Sequence, residues 1–299
     1  MLYSITVYKW RCYESKKGID FDFGFSVKDG DNEDYWYCLD KKPLCPNAIV
    51  LSGGFNTGKT TLFQMLKYIQ SIVLNHKLPS EDVNVKLKFL ANESIYSYHV
   101  IKEGENLTEE LNDNKYCGQK SVVQHTSPVV YNWFSKIKFI SSIYDTNTDV
   151  SLSDINIPVA NKILSNYRQY WLDDDCDFYC QSWDKILVTN STVDFISGNR
   201  VKRLPIKRFS ATSIYSIYLL QEFYNFALGD KYDILIVDDV RYQGKGKLYE
   251  LIKAKFFSLP GNTNIGIKRN KQIVTFSNDT YNRTFAQAKK VSLTYCWDL

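Results

Sequence analysis

The chain has 299 residues, of which 44% are hydrophobic, 23% charged and 15% aromatic. This composition is typical of a folded soluble protein with one large domain or two modest ones, and it excludes a collagenous or disordered chain. The formal net charge is only +4, so any contact with nucleic acid must depend on a local cluster of charge. An uncharged apolar run of about 18 residues is absent from the sequence, and we expect no membrane span and no signal peptide.

The seven cysteines are odd in number and lack the regular spacing of a secreted disulfide framework. We interpret them as reduced thiols and expect a cytoplasmic protein. Cys176 and Cys180 could form half of a metal site, but no second Cys or His pair stands at zinc-ligand spacing. Packing in a core is the favoured interpretation of this pair.

Hydrophobic periodicity predicts alternating strand and helix segments along the chain. The predicted elements of the first part are a hairpin within residues 1–30, a loop at 28–46, a buried parallel strand at 48–52, a helix from Lys59 to about Pro79, and an antiparallel hairpin at 83–100. Those of the second part are a helix near 158–171, strands at 186–188 and 193–196, a helix at 213–228, a strand at 232–237, a helix near 246–258 and a strand at 272–276. The layout of the rest of 128–185 stays open.

Residues 53–60 match the phosphate-loop pattern G-x-x-x-x-G-K-[ST] in full. An apolar strand precedes them and an amphipathic helix follows, so backbone N–H groups and the helix N-terminus can converge on phosphates. The candidate ATP-binding residues are Gly53, Gly54, Phe55, Asn56, Thr57, Gly58, Lys59, Thr60 and Thr61. We expect Lys59 to reach the β and γ phosphates and Thr60 to offer its hydroxyl to Mg²⁺. The alternative is a glycine-rich turn that binds nothing.

Four apolar residues at 234–237 precede Asp238 and Asp239, which is the Walker B pattern. We expect Asp238, at the carboxyl end of a parallel strand, to hold Mg²⁺ beside the phosphate loop. Asp239 stands where a general base or a water-orienting carboxylate is needed. Many buried strands end in Asp, so the pattern gains its specificity from the phosphate loop upstream.

These segments resemble the ABC-type ATPase heads of the RecF, SMC and OLD kind, among them small bacterial AAA family ATP-binding proteins. Residues 10–13, Trp-Arg-Cys-Tyr, stand where that family has N-F-R-S/C-F, and residues 53–62 resemble its G-x-N-G-x-G-K-[ST]-[ST]-L run. The resemblance implies an α/β P-loop NTPase fold with a mixed sheet, an N-terminal antiparallel β subdomain and an inserted helical lobe. Because the two motifs must meet in space, we expect a discontinuous nucleotide-binding core over 1–85 and 186–299, with 86–185 as an inserted β/helical lobe. No heptad-patterned coiled-coil arms are expected between Lys59 and Asp239.

Three of the family's elements are altered in this sequence. The signature loop corresponds to 209–213, where Ser210 keeps a hydroxyl but Ala211 replaces a glycine. The catalytic glutamate is replaced by Asp239, and Asn278 stands at the switch histidine, where it can bind a γ phosphate but cannot relay a proton. An intact cradle beside an altered hydrolytic apparatus implies slow ATP hydrolysis, and misalignment of these segments is the competing explanation.

The resemblance also implies partners. ATP bound at one phosphate loop would be sandwiched against Ser210 of a second copy, so a homodimer is expected. Such compact heads serve in anti-phage defence or DNA repair with a separate effector, a nuclease or toxin, for which this chain is too short. The alternative is a non-hydrolysing, nucleotide-dependent scaffold that holds an effector protein; a membrane transporter's nucleotide-binding subunit is disfavoured. The segment 200–208 has five cations in nine residues and is either a DNA contact or a solvated strand or loop.

Overall fold

The structure is a computed structural model, which describes most of the chain in separate stretches. The described residues are 1–24, 36–39, 42–53, 57–76, 80–112, 114–119, 127–140, 154–167, 183–208, 214, 217–218, 221–222, 224–226, 229, 231–238, 271–277 and 289–293.

Sixteen strands and three α-helices have both of their ends within these stretches. The strands are β1 (Leu2–Trp10), β2 (Tyr13–Asp22), β3 (Trp36–Leu39), β4 (Lys42–Pro46), β5 (Ala48–Ser52), β6 (Val83–Ala91), β7 (Ser94–Glu103), β8 (Asn106–Leu111), β9 (Asn114–Gln119), β10 (Ile137–Ile140), β11 (Lys185–Val188), β12 (Thr192–Ser197), β13 (Arg200–Pro205), β14 (Ile234–Val237), β15 (Gln272–Ser277) and β16 (Lys289–Ser292). The helices are α1 (Lys59–Asn75), α2 (Pro128–Ser135) and α3 (Ile157–Tyr167).

The chain divides into two compact units. The first unit comprises Met1–Phe139, Tyr232–Asp239 and Lys268–Leu299, and the second comprises Ile140–Lys231 and Val240–Ile267. These bounds differ from the predicted core of 1–85 and 186–299. The difference arises because β6 hydrogen-bonds along β1, which ties the strands after residue 85 to the N-terminal strands.

An antiparallel sheet of the first unit has the strand order β2-β1-β6-β7-β8-β9. It contains both predicted hairpins, β1–β2 and β6–β7. Alternate residues of its strands are buried, among them Ile5, Val7, Val85 and Leu87, because successive side chains in a strand point to opposite faces.

A second sheet of the first unit has the order β10-β14-β15-β5-β16 and carries the phosphate loop. Strands β14, β15, β5 and β16 are parallel to their neighbours in this set, so their carboxyl ends lie at one edge. Helix α1 follows β5 and buries its apolar face, including Leu62, Met65 and Ile69. The predicted α/β class, with an N-terminal antiparallel β sheet beside a parallel sheet, is confirmed.

Gln272 connects the two sheets at the amino end of β15. Its side chain is 0% exposed; Nε2 donates to the carbonyl oxygens of Leu2 at 3.1 Å and Pro46 at 2.9 Å, and Oε1 accepts from the Leu2 N–H at 2.7 Å. Apolar residues from both sheets and α1 share one core cluster, which includes Val7, Leu51 and Leu66. The side-chain hydrogen bonds of Gln272 and this shared apolar cluster therefore hold the two sheets together.

The predicted loop at 28–46 is wrong for its second half, where β3 and β4 form a two-stranded antiparallel sheet. Pro43 and Pro46 suggested a loop, but both strands of a two-stranded sheet are edges, where proline needs no ladder partner. Helix α2, which was not predicted, begins with Pro128 at its first turn, a position at which a missing N–H costs nothing.

The second unit contains the antiparallel sheet β11-β12-β13 and helix α3. The strands predicted at 186–188 and 193–196 and the helix near 158–171 are present, as far as residues are described. Asn161 attaches α3 to β11, since its side chain donates to the Val188 carbonyl at 2.9 Å and accepts from the Val188 N–H at 2.6 Å. Every described residue within 214–226 is helical, as predicted. The helix predicted near 246–258 and the pair Cys176 and Cys180 lie outside the described residues.

Candidate functional site

The phosphate loop begins where β5 ends and finishes at the first residue of α1. Gly53 has no room for a side chain, because a Cβ there would lie 2.5 Å from Thr57 Oγ1 and 3.0 Å from the Leu293 carbonyl oxygen. Gly58 caps α1 with φ of 84°, a left-handed conformation that glycine adopts without steric cost. Both glycines of the motif are thus required by local geometry.

Lys59 lies across this loop and is only 8% exposed. Its Nζ donates to the Gly53 carbonyl oxygen at 2.7 Å and to Thr57 Oγ1 at 3.3 Å. A buried ammonium group is stable only when oxygens surround it, and here the loop's own oxygens contribute. The positive charge is therefore held inside the loop, next to the helix N-terminus, where an anion is favoured.

Thr60 and Asp238 meet at the carboxyl edge of the parallel sheet. Asp238 directly follows β14, is 6% exposed, and its Oδ1 lies 3.5 Å from Thr60 Oγ1. Hydroxyl and carboxylate oxygens are the ligand types that Mg²⁺ accepts in phosphate-binding sites. The oxygens of Thr60 and Asp238 at this edge therefore fit Mg²⁺. A phosphate chain fits the loop beside them, where Gly53 has no room for a side chain, Lys59 is buried and α1 begins.

The tip of the β1–β2 hairpin contacts two backbone carbonyls, one in the loop just before α1 and one in the first turn of α1. The Tyr13 hydroxyl donates to the Thr57 carbonyl oxygen at 3.1 Å, and Trp10 Nε1 donates to the Thr61 carbonyl oxygen at 3.0 Å. Trp10 is 0% and Tyr13 2% exposed. Neither contact was predicted from the sequence, although the spacing of the segment 10–13 before the loop was the available signal.

Arg11 lies at the hairpin turn with φ of 49° and forms an exposed ion pair with Glu81, which lies between α1 and β6. Its guanidinium donates to the Glu81 carboxylate at 2.8 and 3.0 Å and to the Gln64 side chain, and lies 5.0 Å from the centroid of the Trp10 ring. The hydrogen bond with Glu81 raises the pKa of Arg11, and the same bond lowers the pKa of Glu81. Because Gln64 belongs to α1 and Glu81 lies just before β6, these contacts tie the hairpin turn to both elements.

Of the residues predicted for the site, the structure brings seven together: Gly53, Thr57, Gly58, Lys59, Thr60, Thr61 and Asp238. The remaining predicted residues lie outside the described part of the chain: Gly54, Phe55, Asn56, Ser210, Asp239 and Asn278. Their roles stay predictions.

The basic segment 200–208 consists of β13 and the 3₁₀ turn Ile206–Arg208 in the second unit. Arg200, Lys202, Lys207 and Arg208 are exposed. Arg203 is paired across the strands with Asp194 through contacts of 2.9 and 2.8 Å, and this hydrogen bonding lowers the pKa of Asp194. Arg203 is thus held in an ion pair within the sheet.

Two other kinds of feature are absent from the described stretches. No group of three or more His, Cys, Asp or Glu side chains there is arranged to hold a metal ion. Among the helices of those same stretches, none has the length and apolar content needed to cross a membrane.

Comparison with known proteins gives likenesses of structure alone. No protein-family model matches the chain, and no curated protein matches it. The structure is similar to an SMC head domain from Thermotoga maritima with a TM-score of 0.46 and 11% identity, over 98% of this chain and 94% of that one. It is also similar to two structures of the recombination mediator RecF. The RecF–ATPrS structure has a TM-score of 0.43 and 10% identity, over 99% of this chain and 96% of that one. The RecF–ATP structure has a TM-score of 0.41 and 12% identity, over 93% of each chain.

Proposed function

We propose that this chain binds ATP with Mg²⁺ at the phosphate loop and hydrolyses it slowly. The observation that carries the proposal is the 3.5 Å approach of Asp238 to Thr60, beside a buried Lys59. A carboxylate beside a buried lysine and a hydroxyl at a helix N-terminus serves little purpose in a core. It is the arrangement that a magnesium-bound polyphosphate requires.

The described residues have separate parts in binding. The glycines at 53 and 58 let backbone N–H groups face the phosphates, while Lys59 exchanges its contact with the Gly53 carbonyl oxygen for phosphate oxygens. Thr60 and Asp238 would hold Mg²⁺, which when bound neutralises charge on the phosphates. This exchange of partners costs little free energy, because the Lys59 ammonium is already desolvated and already points across the loop.

Hydrolysis is assigned to residues adjoining this site in sequence. Asp239 follows Asp238 and is proposed to orient the attacking water, and Asn278 follows β15 and is proposed to bind the γ phosphate. An aspartate is one methylene shorter than the glutamate of the family it resembles, and asparagine carries no titratable proton. Both substitutions favour slow turnover.

At the level of the cell, we propose that the chain acts as a switch in anti-phage defence or DNA repair. ATP held at one phosphate loop would be sandwiched against Ser210 of a second copy, so that dimer geometry reports the nucleotide state to a separate effector. The exposed cations of 200–208 support a DNA contact in such a role. Resemblance of the motifs, rather than geometry, supports the dimer and the effector.

The second candidate function is a scaffold that binds ATP without hydrolysing it and holds or releases an effector. Asp239, Ala211 and Asn278 favour it, since each departs from the hydrolytic pattern of the resembled family. The two candidates share the nucleotide site and differ only in turnover.

Single-turnover hydrolysis of ATP, with and without DNA, separates them. We would compare the wild type with Lys59→Ala and Asp239→Asn, and use Lys67→Ala as control because Lys67 is exposed on the same helix. The ATPase proposal predicts slow hydrolysis that both site variants abolish and Lys67→Ala retains. Wild-type hydrolysis no faster than that of Lys59→Ala would refute it and leave the scaffold, and stimulation by DNA would refute the scaffold.

A further inference from the structure

We propose that Tyr13 is a positioning residue of the nucleotide site, which aims the Gly58 N–H at the bound phosphates through its hydrogen bond to the Thr57 carbonyl. The inference rests on the proposed nucleotide binding and adds a residue that lies outside the phosphate-loop motif. The contact joins positions 44 residues apart, from the start of β2 to the end of the loop.

The phenol of Tyr13 is fixed by the antiparallel sheet rather than by the loop. Tyr13 is paired with Trp10 across the β1–β2 turn, and its ring packs edge-on against Phe21 at a centroid distance of 6.2 Å. The side chain is 2% exposed. Its hydroxyl is consequently held in place whether or not the loop contains a phosphate.

Peptide geometry converts this contact into an orientation of the neighbouring N–H group. No cis peptide bond occurs among the described residues, and in a planar trans peptide the C=O and N–H point in opposite directions. With the Thr57 carbonyl directed at Tyr13, the Gly58 N–H must point away from Tyr13. The side chain of Thr57 is held as well, since its Oγ1 accepts from Lys59 Nζ at 3.3 Å. The peptide between Thr57 and Gly58 is therefore anchored from two directions.

The same hairpin also anchors the far end of this segment. Trp10 Nε1 donates to the Thr61 carbonyl oxygen at 3.0 Å. The amides of Gly58, Lys59 and Thr60 lie between the two anchored carbonyls, and backbone amides of such a loop are the groups that cradle phosphates. The hairpin tip thus holds these three amides in position before nucleotide binds. Less conformational entropy is therefore lost on binding.

The Tyr13→Phe variant tests this idea with little change in packing. We expect it to weaken ATP and ADP affinity equally, by about fivefold, the size of effect that one hydrogen bond contributes. The effect is equal because the loop amides contact phosphates that both nucleotides carry. In steady state, KM should rise while kcat changes by less than about twofold, since the Gly58 amide acts in binding.

Tyr68→Phe is the matched control. Tyr68 also donates its hydroxyl to a backbone carbonyl, that of Glu81 at 2.6 Å, but this acceptor lies outside the phosphate loop. Calorimetric titration with ATP and ADP, beside the thermal midpoint without nucleotide, supports the inference if only Tyr13→Phe loses affinity. Wild-type affinity in Tyr13→Phe, or an equal loss in Tyr68→Phe, overturns it.

A measurement on the wild type keeps the test independent of the variants. With ¹³C′ label on threonine and ¹⁵N label on glycine, ADP should shift the Gly58 amide resonance and leave the Thr57 carbonyl resonance nearly unmoved. A Thr57 carbonyl shift as large as that of the Gly58 amide would mean that the peptide reorients on binding, which overturns the inference. Failure of the wild type to bind ATP or ADP would refute the proposed function itself.

Discussion

The hydroxyl oxygen of Thr60 lies 3.5 Å from Oδ1 of Asp238, although the two residues are 178 positions apart in the chain. The parallel sheet brings them together, because β5 leads into the loop, β14 leads into Asp238, and β15 lies between those strands in the same direction. Both residues consequently follow the carboxyl ends of their strands at one edge. Ligands of open parallel sheets bind at such an edge.

Replacing Asp238 with Asn should remove much of the Mg²⁺ dependence of ATP binding. The amide keeps the shape but loses the negative charge that a divalent cation requires, so we expect the gain in ATP affinity from Mg²⁺ to fall by about tenfold. Titration of ATP at several Mg²⁺ concentrations measures it. Asp20→Asn is the matched control, because Asp20 accepts from a threonine hydroxyl, that of Thr6 at 2.5 Å, on the exposed surface of the antiparallel sheet. Equal Mg²⁺ dependence in wild type and Asp238→Asn would contradict the assignment.

Gly53→Ala should destabilise the first unit through a steric clash. A Cβ at this position would be 2.5 Å from Thr57 Oγ1 and 3.0 Å from the Leu293 carbonyl oxygen, so the loop or the chain after β16 must shift. Overpacking of this kind costs about 1–3 kcal/mol of unfolding free energy. Denaturant unfolding measures the cost.

The Gly104→Ala variant is the comparison, because it measures the cost of a left-handed backbone without a steric clash. Gly104 has φ of +56°, and no atom of the described residues lies within 4 Å of the position that a Cβ would take there. Only conformational strain of about 1 kcal/mol is therefore expected. A loss in Gly53→Ala no larger than that in Gly104→Ala would show that the clash at Gly53 relaxes freely.

Gln272→Leu should destabilise the protein by about 3 kcal/mol, because it leaves three buried backbone groups without their partner. The groups are the N–H and carbonyl of Leu2 and the carbonyl of Pro46. Gln70→Leu is the comparison, since the half-buried Gln70 donates to two carbonyls, those of Phe134 and Ile137. Unfolding in denaturant should rank Gln272→Leu as the more harmful change, and the reverse ranking would contradict the linking role of Gln272.

Glu109 should make stability depend on pH. Burial raises the pKa of Glu109, against the hydrogen bond from Tyr98 and the charge of His76, which lower it. A raised pKa means that the folded state binds the proton more tightly, so this stabilisation is complete below the unfolded pKa of about 4.3 and is lost as pH rises through the folded pKa. Glu109→Gln stays neutral and can still accept from Tyr98. The unfolding free energy of Glu109→Gln should therefore increase relative to that of the wild type as pH rises. Parallel plots of unfolding free energy against pH for the two proteins would contradict the prediction.

Local patterns were enough to predict the parts of the site that are contiguous in sequence. The motif at 53–60 and the periodicities on either side of it specify β5, the loop and α1, and four apolar residues before Asp238 specify β14. Each of these signals lies within about 20 residues, so no knowledge of chain topology is needed.

What could not be predicted depends on contacts between distant segments. The placement of β15 between β5 and β14 is a matter of strand order, which hydrophobic periodicity does not encode. Tyr13 pairs with the carbonyl of Thr57 only because the antiparallel sheet places the hairpin tip against the loop. The β3–β4 hairpin was not predicted because its prolines suggested a loop. In an edge strand a proline need not remove a hydrogen bond from the sheet, so it is tolerated there.

Equilibrium dialysis of ATP against the wild-type protein, with Mg²⁺ and with EDTA in its place, measures whether the phosphate loop binds nucleotide. We expect saturable binding of one ATP per chain, tighter with Mg²⁺, and its loss in Lys59→Ala but not in Lys67→Ala. The absence of saturable binding to folded wild-type protein, or equal binding by Lys59→Ala, would contradict it.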